Sequence, residues 1–195
     1  MATWLAQQIV RQLLTSAVID PDDKELYVYG FFLLISKVLY FSIAFITGII
    51  LKIPFASIVF YLSFLLLRGY AGGVHAKTET ACTILTSLAI IGSLLLIKIM
   101  LTWQSWTVPT LMLIGASISI WVLSPLDTAE KPLDEYEKTQ YRRFSIAILC
   151  GYLLGIGITW YLVWKNISYA LITTVFLESL LLAIGKKHTG CQHST

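Results

Sequence analysis

The chain has 195 residues, of which 57% are hydrophobic and only 13% charged, with a formal net charge of +3. A soluble domain averages roughly 45–50% apolar and 25% charged residues, so this composition excludes an ordinary soluble enzyme and specifies a polytopic membrane protein. The small charge excess makes no case for nucleic acid as a partner. The basic residues are better read as topology signals for a lipid bilayer. The fold class expected is all-α, about six transmembrane helices plus an N-terminal amphipathic helix, in a single domain over residues 1–195.

Residues 1–22 come first. Trp4, Leu5, Ile9, Leu13 and Val18 fall near helical spacing, with Gln7, Gln8, Arg11 and Gln12 between them. That pattern fits a helix lying in the membrane interface, and fits equally one packed on the bundle. It begins amphipathic rather than with a basic stretch and a short apolar core, so no cleavable signal peptide is expected. Asp20-Pro21-Asp22-Asp23 breaks the pattern.

The first span is expected over residues 27–51, and Lys52-Ile53-Pro54 turns the chain, with Pro54 suited to the first position of the next helix. The second, from 54 to 67, is short unless it continues through Arg68 to the glycines. A third runs over 80–101, with Trp103 and Trp106 marking an interface. A fourth covers 108–123, a polar loop covers 124–143, and a fifth span covers 144–164. Lys165-Asn166 then turns into a sixth span ending near Ile184, before a tail with Lys186 and Lys187.

With the N-terminus inside, the cytoplasmic side carries Arg11, Lys24, Arg68, Lys77, Lys131, Lys138, Arg142, Arg143, Lys186 and Lys187. The outer turns carry Lys52 and Lys165. This asymmetry puts both termini and every long polar loop in the cytoplasm. Lys37 and Glu178 fall inside spans, and intramembrane charges are functional candidates by default. The plainer expectation is that they pair with each other or snorkel. Gly151 and Gly155 form a small-residue contact pattern on the fifth span. Whether that contact lies within one chain or makes a homodimer is open.

The chemistry concentrates at residues 66–82, LLRGYAGGVHAKTETAC, a polar break that holds Arg68, Gly72, Gly73, His75 and Cys82 together. A cysteine nucleophile needs a thiolate and a base to take its proton. On one straight helix His75 and Cys82 would share a face but stand about 10 Å apart along the axis. Proton transfer needs roughly 3 Å. Gly72-Gly73 weakens a helix, so the better expectation ends one helix near Arg68 and restarts another near Thr78. Thr78 then serves as N-cap, Glu79 lies in the first turn, and Cys82 sits just inside, where a helix N-terminus favours a thiolate. His75 folds back from the loop to reach it. The bland alternative is an interfacial histidine and a cysteine packed as a small hydrophobe. The three cysteines, at 82, 150 and 191, have neither disulfide nor metal-ligand spacing, and no metal or other cofactor is expected.

Arg68-x-x-x-Gly72-Gly73-x-His75, followed by Cys82, resembles the motif of the accessory gene regulator B (AgrB) family. Those are integral-membrane cysteine endopeptidases that process a quorum-sensing propeptide in Gram-positive bacteria. The resemblance implies that His75 and Cys82 are catalytic and that the partner is an AgrD-like propeptide. A second segment matches at Pro125, Lys131 and Pro132, although here Glu130, Asp134, Glu135 and Glu137 interleave where some members cluster lysines. That departure bears on substrate contact by Lys131, against which stands a solvated connector. The implied reaction is attack by Cys82 with His75 as base, an acyl-thioester, and closure of a thiolactone or lactone ring. Arg68 could orient substrate, bind a carboxylate or brace the loop, and backbone N–H groups near Gly72 and Gly73 could form an oxyanion hole. A rival class is a small transporter or peptide-export component using Lys37 and Glu178.

Overall fold

The computed structural model describes residues 2–16, 18–72, 79–103, 105–126 and 134–192, with side chains as far as residue 186. It divides into two compact units, Met1–Ile43 and Ala44–Thr195.

The first unit opens with α1 (Ala2–Thr15), which buries Ala6 and Val10 and leaves Trp4 and Leu5 exposed. Ala6 and Val10 are one helical turn apart, so a single stripe is covered. Asp20 then accepts a hydrogen bond from the Asp22 N–H at 3.2 Å, starting a 3₁₀ turn at Pro21–Asp23 that feeds α2 (Lys24–Ile50). Leu26, Leu33, Leu34 and Val38 of α2 are exposed. A helix apolar on nearly every face is built for lipid.

The second unit holds the end of α2 and five further helices: α3 (Pro54–Ala71), α4 (Glu79–Trp103), α5 (Thr107–Leu123), α6 (Glu135–Tyr161) and α7 (Lys165–Gln192). The turn into α3 is tight. Lys52 takes a positive φ of 59°, and the Ile53 N–H donates to the Gly48 carbonyl at 2.8 Å. A side chain at Gly48 would collide with Ser57, so this closure requires glycine. Pro54 occupies the first helical turn, as its missing N–H allows.

The last helix is the axis of this unit. α7 packs against α3, α4, α5 and α6, and 67% of its apolar window is buried, against 28% for α4. Leu67 and Ala71 of α3, Ala116 and Ile120 of α5, Leu149 of α6, and Val175 and Leu182 of α7 form one core cluster. Lipid tails are as apolar as these side chains, so close packing and buried hydrogen bonds must hold the helices together. Tyr152 on α6 donates to the Ser63 carbonyl at 2.8 Å, and Thr174 on α7 donates to the Phe60 carbonyl at 3.3 Å. On α6, Gly155 packs against Leu171 of α7, whereas Gly151 has open space where a side chain would stand.

Among the described residues, five helices are long and apolar enough to cross a bilayer. The sixth, α5, has 17 residues and spans about 26 Å, at the lower edge of what a crossing needs. The all-α polytopic expectation therefore holds. One boundary moves. α6 begins at Glu135, so residues 135–143 of the expected polar loop are helical. Asp134 and Glu137 make a capping box, Glu135 and Glu137 sit favourably in the first turn, and Lys138 pairs with Glu135 at 3.3 Å. A helix with such an N-terminus can continue past its apolar stretch. α3 likewise runs on to Ala71, and α7 continues beyond Ile184 to Gln192.

The connections sort to two ends of this unit. One end joins the C-terminus of α3 to the close of α5, where Gly72 and Leu126 make a parallel bridge. The other gathers Phe55, Leu101, Val163, Trp164 and Lys165 around a cavity of about 590 Å³. There Trp106 meets Trp160 edge-on, and Lys165 Nζ lies 5.3 Å from the Trp106 ring centre. Aromatic rings with a lysine among them mark a membrane interface. Lys98, in the last turns of α4, adds a third basic residue to this end beside Lys52 and Lys165.

Candidate active site

The polar end is organised by Arg68, in the last turn of α3, where a cation complements the helix dipole. Its Nη1 donates to the Gly72 carbonyl at 2.9 Å and lies 3.6 Å from Oε1 of Glu178. Glu178 projects from α7 and is completely buried. Its oxygens have no hydrogen-bond partner among the described residues, and 3.6 Å is a charge contact longer than a direct ionic hydrogen bond. Glu178 is therefore the counter-charge of Arg68. Glu178, one of the charges expected inside spans, meets Arg68 because α3 and α7 pack directly and bring these two side chains together.

α3 stops for a defined reason. Gly72 has φ 78° and ψ −162°, a conformation open essentially to glycine alone. A Cβ there would stand 2.8 Å from the Leu126 carbonyl oxygen. The Leu126 N–H donates to the Ala71 carbonyl at 3.1 Å, so the chain leaving α5 is stitched to the end of α3. Around this seam Tyr70 lies against the rings of Tyr141 and Phe144 on α6, at centroid distances of 6.0 and 5.2 Å. Ser124 and Ser145 share a buried hydrogen bond of 2.7 Å. The ends of α3 and α5, the start of α6, and residues Gly72 and Leu126 are thus tied at one place.

α4 restarts at Glu79, and Cys82 lies in its first turn with a half-buried side chain. That is the helical position the sequence predicts for it. Thr83 donates to the Glu79 carbonyl at 2.9 Å in the same turn. Gly73, His75 and Thr78, and Lys131 with Pro132 in the second connection, lie outside the described residues. Arg68, Gly72 and Cys82 are described, and the first two are in direct hydrogen-bonded contact. Cys150 is exposed on α6, far along the chain from this cluster. Among the described residues no three His, Cys, Asp or Glu side chains converge on a metal-sized site.

Sequence reasoning missed the parts that hold the seam: Glu178 as the partner of Arg68, Leu126, and the Ser124–Ser145 pair. One signal was available. A lone arginine ending one span and a lone glutamate inside another are opposite charges that a bilayer favours bringing together.

The architecture and this cluster define a class, a helical membrane protein with a polar constellation assembled between its spans at one end. The chain belongs to the accessory gene regulator B (AgrB) family, whose model matches residues 3–182. An AgrB-like protein of Clostridium perfringens strain SM101 is 27% identical over 169 residues, covering 83% of this chain and 78% of the relative. AgrB-like protein 2 of Clostridium perfringens strain 13 is 26% identical over 166 residues, covering 82% and 77%. No solved structure matches. Membership gives the protein a role in the agr quorum-sensing system, a membrane setting, and an AgrD propeptide as its partner.

Proposed function

We propose that this protein is a membrane cysteine endopeptidase that cleaves its propeptide through an acyl-thioester on Cys82. The observation that carries this reading is the placement of Cys82 in the first turn of α4, next in sequence to the glycine break that ends α3. The Cys82 sulfur attacks a peptide carbonyl carbon while His75 takes the thiol proton. The C–N bond then breaks, His75 returns the proton to the leaving amine, and the acyl group stays on sulfur. A thiol or hydroxyl within the peptide next attacks the thioester, closing a thiolactone or lactone ring and freeing Cys82. Thioester exchange with a nearby peptide thiol is close to neutral in energy, and proximity lets it outrun water in a dry site.

Gly72 with Gly73 supplies the turn, and Lys131 is assigned to substrate contact from the second connection. Arg68 serves as a brace, since it contacts both the Gly72 carbonyl and the Glu178 carboxylate. That engagement of Glu178 also argues against a transport path built on Lys37 and Glu178. The test is the rate of Cys82 alkylation by a membrane-permeant thiol reagent near neutral pH. Alkylation is expected to be fast in the parent and to slow about tenfold or more in His75→Ala, as for a thiol losing its base. Equal rates in both proteins would remove His75 from the chemistry.

The active site faces the cytoplasm in this proposal, where a reducing compartment keeps the thiol available. A cysteine introduced at Thr139, exposed near the start of α6, is expected to resist membrane-impermeant reagents in intact cells. One at Asn166, exposed at the opposite end, is expected to react. The reverse pattern would move the chemistry outside.

A further inference from the structure

We propose that Glu178 is a positioning residue for propeptide cleavage, acting through Arg68 to fix the Gly72 turn; this deepens the endopeptidase reading and rests on it. Three observations converge. Glu178 is fully buried in the central helix, at a depth where an apolar residue of similar volume would pack without the penalty of desolvating a charge. The same Arg68 nitrogen that faces Glu178 also donates to the Gly72 carbonyl. Gly72 is in turn sewn to Leu126 by the Ala71–Leu126 hydrogen bond and the bridge.

The physical sequence is short. The Arg68 side chain is 22% exposed, so it stands close enough to the polar boundary to reach water. An arginine in that position swings its head toward the interface unless a counter-charge holds it inward. Glu178 provides that charge from the one helix that touches α3, α4, α5 and α6. Held inward, the guanidinium keeps its hydrogen bond to the Gly72 carbonyl and fixes the direction in which the chain leaves α3. His75 follows three residues later in sequence, and Cys82 opens α4 beyond it. Glu178 touches neither reacting group. It sets where the chain between them starts.

The experiment uses the full-length protein in proteoliposomes with its propeptide, comparing the parent with Glu178→Gln, Glu178→Asp, Arg68→Gln and the Glu178→Gln/Arg68→Gln pair. Glu178→Gln keeps the shape and removes the charge. It is expected to lower the maximal cleavage rate 10- to 100-fold, as for an angstrom-scale misplacement, with the half-saturating propeptide concentration unchanged. The double variant is expected to fall no further than Arg68→Gln alone, because both act through one contact. Glu178→Asp keeps the charge one methylene further away and is expected to recover part of the rate. It also carries the test if the glutamine variant fails to accumulate in the membrane. Hydrogen exchange at the Leu126 amide, measured without propeptide, is expected to accelerate in Glu178→Gln and not in Cys82→Ala. An unchanged maximal rate in Glu178→Gln, or losses that multiply in the double variant, would overturn the proposal. A parent that cleaves independently of Cys82 would overturn the endopeptidase reading instead, while the exchange measurement still decides whether Glu178 holds the seam.

Discussion

Cys82→Ser is expected to reduce propeptide cleavage by about a thousandfold or more, to background, as removal of a nucleophile does in other covalent catalysts. Insertion and abundance should be unchanged, since the side chain is half-buried at a helix start and makes no part of the core cluster. Serine is the informative substitution because it keeps nearly the same volume and a hydroxyl, but that hydroxyl is a far weaker nucleophile near neutral pH. Cys150→Ala, at an exposed position on α6, should leave cleavage unaltered. The measurement is the gel shift of co-expressed propeptide, with membrane levels of each variant quantified alongside. Parent-like processing by Cys82→Ser would end the assignment of Cys82 as nucleophile.

Gly72→Ala is expected to have the next largest effect, although glycine brings no reactive group. The backbone conformation at Gly72 costs a side-chain-bearing residue about 1–3 kcal/mol, and the added methyl would press on the Leu126 carbonyl 2.8 Å away. The chain relieves this by changing φ, and α3 then either continues or leaves in another direction. Arg68 loses its acceptor, and cleavage should fall about 10- to 100-fold. Gly69→Ala is the matched control. Nothing lies within 4 Å of a Cβ there, and the residue is inside α3. Alanine in a helix interior gains about 0.5–1 kcal/mol over glycine. The pair is read by the same cleavage assay and by thermal unfolding in detergent. A Gly72→Ala protein that cleaves as fast as Gly69→Ala would show that the turn does not govern the chemistry.

The spans were legible in the sequence because each is an apolar run closed by a local signal: Pro54 after Lys52, the tryptophans at 103 and 106, the glycines at 72 and 73. The entry of Cys82 into a fresh helix was legible for the same reason, since Glu79 and the preceding glycines act within a few residues of it. What escaped were features set by partners distant along the chain. Arg68 and Glu178 are 110 positions apart, and no periodicity links them. The early start of α6 escaped because residues 135–143 are too polar to register as membrane span, although Asp134 and Glu137 form a recognisable capping box. The close approach of Leu126 to Gly72 needed the packing of α3 and α5 around α7 before it could be seen.

The most enclosed helix of the second unit follows in the chain all the helices it packs against. During translation α3 enters the bilayer with Arg68 at its end long before Glu178 has been made. Until α7 inserts, Glu178 is absent from beside Arg68, and the core around Leu67, Ile120 and Leu149 lacks Val175 and Leu182. A nascent chain at that stage already carries Cys82 at the start of α4 while the frame around Arg68 is still incomplete. A copy shortened before α7 would therefore lack Glu178 beside Arg68 and two members of the core cluster.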